Sequence, residues 1–340
     1  MCTAITFKSG DNYFGRNLDL EYSYKEAVTI TPRKYTFRFL NKPSVSSHYA
    51  MIGMAYVVKE YPLYYDATNE LGLSMAGLSF QGYAFYKLPD EKKDNIAVHE
   101  FIPWVLGQCA TVGEAKVLLQ RINLVAEDFR EDLPTQPLHW IIADKLSSIT
   151  VECTLDGMKI YDNPVGVLTN NPTFDYHMTN LLNYVNLTSE EPDNDFISGL
   201  ELKPYSRGMG AIGLPGDYSS ASRFVKAAFV LHNSVVDNSL VDVSATKHFE
   251  TEGAAAVSQF FHILDTVAQP RGAVRLRDGK CVITVYSSCC NTDQGKYYYK
   301  TYNNSTIMAV DMYAENIDGN TLVSYPLFRM EDKARFERVN

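Results

Sequence analysis

The order of secondary-structure signals constrains this chain most. Short β-leaning runs fill the first third: residues 3–8 and 12–18, "AVTITPR" (27–33), "YAMIGMAYVV" (49–58) and "LGLSMAGLSF" (71–80). A helical stretch follows near 99–122, where Thr111 and Glu114 form a capping box ahead of "AKVLLQRI". "HWIIAD" (139–144) and "SITVECT" (148–154) read as strands, and helical patterns occupy 174–186, 220–232 and 254–266. β-leaning runs then return in "CVITVYSS" (281–288), "KYYYKTY" (296–302) and "TIMAVDM" (306–312). Strands, helices, then strands again predict an α+β fold with antiparallel sheets. There is no repeat, low-complexity tract or long linker, and the most loop-like segment, "TSEEPDND" (188–195), is short. Residues 1–340 therefore read as a single domain.

Composition narrows the function classes. Hydrophobic residues make up 46 % and charged residues 21 % of the chain, enough for a sizeable core without staples. The 23 tyrosines suit sheets, and pockets that need an apolar wall with a polar edge. A net charge of −9 without a basic block excludes a nucleic-acid footprint. No apolar run is long enough for a membrane helix, so no membrane partner is expected. The first twenty residues carry Lys8, Asp11, Arg16 and Asp19 and lack an apolar h-region, so no secretory signal is expected. Cysteines at 2, 109, 153, 281, 289 and 290 match no zinc spacing and read as reduced thiols of a cytoplasmic protein. The vicinal Cys289-Cys290 lack flanking ligands; no metal and no cofactor is expected.

The first hairpin carries candidate chemistry. With Gly10-Asp11 as a two-residue loop, Ser9 faces Asn12, Ile5 faces Arg16 and Cys2 faces Asp19. Directly opposed residues have Cβ atoms about 5 Å apart, so this register sets a carboxylate beside a cysteine. Arg16 and Asp19 have opposite parity; for both to serve one site the strand must end or bulge near Asn17-Leu18. If Met1 is removed, Cys2 carries a thiol and an α-amine on one residue, and the amine can take the thiol proton without a histidine. A nearby Asp would orient the ammonium and a nearby Arg would favour the thiolate. On these residues alone, an incidental cysteine beside solvated surface charges remains the other reading.

"MCTAITF…YFGRNLD" resembles the opening of the choloylglycine hydrolase family, within the N-terminal-nucleophile hydrolases. The likeness continues in order through "NELGLSMAGLSF" (69–80), "LHWIIAD" (138–144), "GVLTNNPTFDYH" (166–177), "GLPGDYSSASRF" (213–224), "FFHIL" (260–264) and "YYYKTY" (297–302). "EYSY" (21–24) and "YPLYYDATNE" (61–70) look more like bile salt hydrolases of Gram-positive gut bacteria than like penicillin V acylases. The resemblance implies a four-layer αββα sandwich of two antiparallel sheets covered by helices. It implies Cys2 as nucleophile after loss of Met1, Arg16 beside the thiolate and Asp19 holding the α-amine. It also implies Asn170 as side-chain donor of the oxyanion hole and Arg223 as a second arginine of the site. Ser79 stands where most bile salt hydrolases have Asn; the resemblance implies the main-chain N–H there as the other oxyanion donor, and a main-chain donor survives a side-chain change.

The implied reaction is acyl transfer from the amide of a glycine- or taurine-conjugated bile salt. Loops near Leu18–Tyr24, Val58–Tyr65 and Asn123–Leu138 would shape the pocket, with Leu18, Tyr22, Tyr24, Val58 and Phe129 as wall candidates. The likeness further implies a homotetramer. Penicillin V acylase or N-acyl homoserine lactone acylase activity would use the same residues. A catalytically silent steroid-binding protein is the alternative of another class, and the intact set of Cys2, Arg16, Asp19, Asn170 and Arg223 speaks against it. His139, His177 and His262 read as structural or solvated rather than catalytic.

Overall fold

Several of the β-leaning runs place apolar residues at consecutive rather than alternate positions. A strand buried on both faces needs cover on both faces. In a computed structural model describing residues 1–194, 196–237 and 253–327, that cover takes the form of stacked layers. The strands in chain order are β1 (Cys2–Ser9), β2 (Asp11–Leu20), β3 (Ala27–Thr31), β4 (Met51–Val58), β5 (Tyr61–Asn69), β6 (Ser74–Ser79) and β7 (Asp94–Ala97). Helices α1 (Phe101–Leu106) and α2 (Val112–Leu119) follow, then β8 (Ile122–Val125), β9 (Leu138–Ala143), β10 (Ser148–Thr154), β11 (Gly157–Asp162) and β12 (Val167–Leu168). Next come α3 (Phe174–Asn180), α4 (Ser220–Asn233) and α5 (Ala254–Asp265), and finally β13 (Ile283–Asn291), β14 (Lys296–Thr301), β15 (Asn304–Asp311) and β16 (Val323–Pro326).

Two antiparallel sheets form the centre. One has the order β12-β1-β2-β13-β14-β15, the other β11-β10-β9-β6-β5-β4-β3-β16. The short pair β7-β8 is parallel and stands apart. One apolar core joins Ala4, Phe14, Met54 and Ile141 of the facing sheets to Phe224 of α4 and Phe260 of α5, which cover the six-stranded sheet. A second core packs Met75 and Trp140 of the eight-stranded sheet against Phe101 and Val105 of α1 and Leu118 of α2. The result is the expected αββα sandwich. Half of the expected capping box forms at α2: the Glu114 N–H donates to Thr111 Oγ1 at 3.1 Å, while the Glu114 carboxylate accepts from the N–H of Ala110 at 2.7 Å rather than that of Thr111.

The first hairpin differs from expectation by one residue. Its turn has a single apex residue, Gly10, in the left-handed region at φ 68°, with Ser9 paired to Asp11. Cys2 therefore pairs with Leu18 and Ala4 with Arg16, rather than Cys2 with Asp19 and Ile5 with Arg16. A one-residue slip exchanges faces, so Cys2 and Arg16 now share one. Nor does β2 end or bulge near Asn17-Leu18. It runs on to Leu20, and the irregularity lies on β13 between Thr284 and Tyr286, opposite Asp19 and Leu18. Residues 58–65 are likewise not a loop but the tight β4–β5 hairpin, turning at Lys59-Glu60 with φ of 48° and 64°.

Candidate active site

Six sequence-predicted residues, scattered along the chain, meet where the edge of β6 faces the start of β1. Cys2 opens β1 and is buried. Its backbone N–H donates to Asn170 Oδ1 at 2.8 Å. Asn170 follows β12, and its Nδ2 donates to the Ser79 carbonyl at 2.8 Å. An amide nitrogen has two N–H groups, so one remains for a ligand. The Phe80 N–H donates to Pro137 O at 2.8 Å. Strand alternation then turns the Ser79 N–H and carbonyl toward the opposite edge, the one occupied by Asn170.

Arg223, in the first turn of α4, binds the same atoms from the other side. Its Nη1 donates to Cys2 O and, at 2.8 Å, to Thr3 Oγ1. Its Nη2 donates to Asn170 Oδ1 at 2.6 Å, and its Nε to Tyr218 O at 3.1 Å. Burial lowers the Arg223 pKa, while the negative partners Asp19 and Cys2 act to raise it.

Arg16 is completely buried. Its Nη1 donates to Gly77 O at 2.6 Å and Tyr65 O at 3.0 Å, whereas Nη2 has no hydrogen-bond partner. Burial acts against its charge, but Cys2, Tyr286, Asp66 and Asp19 outweigh it and hold the guanidinium above its ordinary value. Close by, the Asp66 carboxylate accepts from Tyr286 at 2.9 Å and Tyr297 at 2.6 Å. Sequence reasoning did not single out Asp66; the available signal was an aspartate in the middle of a buried strand.

Asp19 continues the β1–β2 ladder to the terminus. Its main chain exchanges hydrogen bonds with Met1, at 2.7 Å from the Met1 amine and 3.0 Å to the Met1 carbonyl. Its side-chain Oδ1 accepts from Thr284 Oγ1 at 2.7 Å, while Oδ2 is buried and unpartnered. Burial pushes this carboxyl up; Arg223, the terminal amine, Thr284 and Arg16 pull it back. The cluster thus joins a thiol, a terminal amine, a buried carboxyl with a free oxygen, two buried guanidinium groups and two convergent N–H donors. That is equipment for nucleophilic attack on a carbonyl and for holding the resulting oxyanion.

The wall candidates divide. Leu18 pairs with Cys2 and lies in the core between the sheets. Val58 is buried at the end of β4. Tyr22 and Tyr24 are 51 % and 39 % exposed, hydrogen-bonded to each other at 3.1 Å. Tyr24 also packs on Tyr56. Phe129 packs against Tyr61 and His99 at the second core.

All six cysteines are unpaired thiols, and among the described residues no helix is long and apolar enough to cross a membrane. A family model described as linear amide C–N hydrolases, choloylglycine hydrolase family, matches residues 2–325. A bile salt hydrolase/transferase of Lactiplantibacillus plantarum is 52 % identical over 340 residues, covering 100 % of both chains. One of Clostridium perfringens is 39 % identical, covering 96 % of each. The crystal structure of a mutant conjugated bile acid hydrolase from Clostridium perfringens superposes with a TM-score of 0.86 at 36 % identity, covering 100 % of both chains. A penicillin V acylase from Agrobacterium tumefaciens shares the fold, with a TM-score of 0.71 at 19 % identity over 95 % of this chain and 90 % of that one.

Proposed function

Since the chain belongs to the choloylglycine hydrolase family of linear amide C–N hydrolases, we propose that it hydrolyses the amide of glycine- or taurine-conjugated bile salts. The observation that carries this reading is the convergence of Cys2, Arg223, Asn170 and Ser79 through direct hydrogen bonds. We read residues 1–340 as one N-terminal-nucleophile hydrolase domain that acts after Met1 is removed.

The steps follow from the geometry. The freed Cys2 amine takes the thiol proton, and Asp19 Oδ2 orients the ammonium. Sγ attacks the amide carbon, forming a C–S bond. The oxyanion is held by the unused N–H of Asn170 and the main-chain N–H of Ser79. Loss of one such donor typically lowers turnover about 10²–10³-fold. Arg223, bonded to Cys2 O and Asn170 Oδ1, fixes the nucleophile against that donor. As the C–N bond breaks, the ammonium gives its proton to the leaving nitrogen and glycine or taurine departs. Water, deprotonated by the same amine, then cleaves the thioester and releases the bile acid. No metal or cofactor takes part in this scheme. A steroid with an anionic end suits apolar walls and local arginines, since the chain as a whole is acidic.

The likeness to bile salt hydrolases also leads us to a homotetramer and a cytoplasmic location. The relatives' names include transferase, and the same thioester could pass its acyl group to an amine in place of water. Penicillin V is the competing substrate: a penicillin V acylase of Pectobacterium atrosepticum is 27 % identical over 61 % of this chain. Incubation with glycocholate, taurocholate and penicillin V, with the released amine quantified, decides between them. Intact mass is read on the same protein. Dominant penicillin turnover overturns the substrate assignment; full activity with Met1 retained, or in Cys2→Ser, overturns the mechanism.

A further inference from the structure

Asn170 is held by more than Cys2 and Arg223. Its carbonyl accepts from His177 Nε2 at 2.8 Å, and the preceding carbonyl, of Thr169, accepts from His139 Nε2 at 3.1 Å. Both histidines are fully buried. A carbonyl can only accept, so each imidazole must carry a proton on Nε2. Each ring also stacks on a residue adjoining another part of the site. His139 lies flat on Phe80, the neighbour of Ser79, at 4.3 Å and 8°. His177 lies on Phe224, the neighbour of Arg223, at 4.8 Å and 18°. Glu152 Oε1 joins the two histidines: it faces His139 Nδ1 at 3.0 Å and accepts the N–H of Phe174, first residue of the helix bearing His177, at 3.0 Å.

We propose that His139 and His177 are positioning residues that fix Asn170 relative to the Ser79 N–H and to Arg223. The proposal rests on the reading of Asn170 as the oxyanion donor. Neither ring touches Cys2 Sγ in this scheme and neither carries a proton for the reaction. Their part is geometric. His177 spans from the carbonyl of Asn170, and His139 from that of Thr169, to an aromatic ring rooted beside a different group of the site. Burial pushes the His177 pKa down to about 4, against the hydrogen bond it donates to the Asn170 carbonyl, so its single-proton form persists through neutral pH.

The test uses the full-length, Met1-processed protein with glycocholate. H177F keeps a ring on Phe224 but removes the donor; H177Q restores an N–H at the position of Nε2. A misplacement of about 1 Å can cost about 10²-fold in rate, so H177F is expected to lower kcat by about 10–100-fold with KM within about threefold. Alkylation of Cys2 by iodoacetamide develops no oxyanion and should change by less than about twofold. H177Q should recover a substantial part of kcat, and adding H177F to N170A should slow it no further. Retention of kcat in H177F, or a parallel fall in alkylation, overturns the proposal. If H177F does not fold, H177Q is compared with H177N, whose shorter amide places its donor at the position of Nδ1. A kcat about tenfold higher for Gln supports the brace and equality overturns it. N170A is measured alongside. Retained turnover there overturns the reading of Asn170 itself, whereas loss in N170A with none in H177F overturns only the brace.

Discussion

Gly15 precedes Arg16 in β2 and lies against the backbone of β13. A Cβ built on it would lie 2.0 Å from the Ser288 carbonyl oxygen, 2.6 Å from its carbon and 2.9 Å from Cys289 Cα. All three are backbone atoms of a strand that is buried along its whole length, so no side chain can swing aside. Gly15→Ala must therefore push β13 away from β2 by at least about 1 Å to leave the range that Cβ contacts avoid, at the upper end of the roughly 1–3 kcal/mol typical of overpacking. For 340 residues the unfolding entropy near the transition is about 0.7 kcal/mol/K, so a cost of about 3 kcal/mol lowers Tm by about 4 °C. The displaced strand is the one that carries Thr284 against Asp19 and Tyr286 against Asp66. Turnover should fall with stability, by up to about 10²-fold for a shift of this size. Gly10→Ala is the control: it meets nothing within 4 Å but must hold φ at +68°, so it loses about 1–2 kcal/mol while kcat stays near that of the parent. Scanning calorimetry and amine release measure both. A Gly15→Ala protein with the Tm and kcat of the parent would refute the argument that the β2–β13 approach is rigid.

Ser79 is expected to act through its main chain alone, so Ser79→Ala should keep kcat on glycocholate within about threefold, against the 10²–10³-fold typical of a lost donor; a loss in that larger range would assign the hydroxyl a role. Glu100 offers a pH test. Burial raises its carboxyl to about 7 from an ordinary 4.5, with the N–H groups of Leu40 and Ala97 opposing. Between those values the folded chain holds a proton that the unfolded chain releases, so the contribution is complete below about pH 4.5 and disappears as pH rises through 7. Glu100→Gln, neutral throughout, should flatten this part of the profile in urea unfolding at pH 5 and pH 8; parallel curves for parent and variant would count against the assignment.

Much of the sheet was legible because β4, β9 and β13 are runs of apolar residues bounded by turn signals. β5 was not, because Pro62 and Asp66 interrupt its pattern. Asp66 is tolerated there because the Arg16 guanidinium lies close by and Tyr297 and Tyr286, more than two hundred residues along the chain, donate to it. The hairpin register failed for a local reason: a one-residue apex at Gly10 looks, in sequence, like half of the commoner Gly-Asp turn. Cys2, Arg16 and Asp19 could be linked from spacing since they share that hairpin. Asn170 and Arg223 could not, and were identified only by resemblance. No periodicity relates Cys2 to a residue 168 positions away. His139 reads from sequence as structural and His177 as packed or solvated; the fold buries both, and their hold on Asn170 exists only once β9, α3 and α4 are packed together.

Arg223 shows what the sequence left out most clearly. The letters "SRF" supply a positive charge, whereas the folded site uses the shape of the guanidinium. Its Nη1 and Nη2 reach Cys2 O, Thr3 Oγ1 and Asn170 Oδ1 while Nε reaches Tyr218 O, four acceptors served by one rigid plane. Arg223→Lys preserves the charge that faces Asp19 but offers a single ammonium on a flexible stem. It cannot span acceptors on β1, on Asn170 and on the loop before α4 together, so at least one buried acceptor is left unmet, at about 1–3 kcal/mol. If the fork matters, kcat falls by about 10²-fold, because Cys2 and Asn170 lose the group that ties them. If charge alone matters, Arg223→Lys keeps turnover near that of the parent while Arg223→Gln does not. Amine release from glycocholate by both variants, with Tm recorded for each, separates the two. Parental turnover in the lysine variant would remove the geometric tie between nucleophile and oxyanion donor on which the catalytic scheme depends.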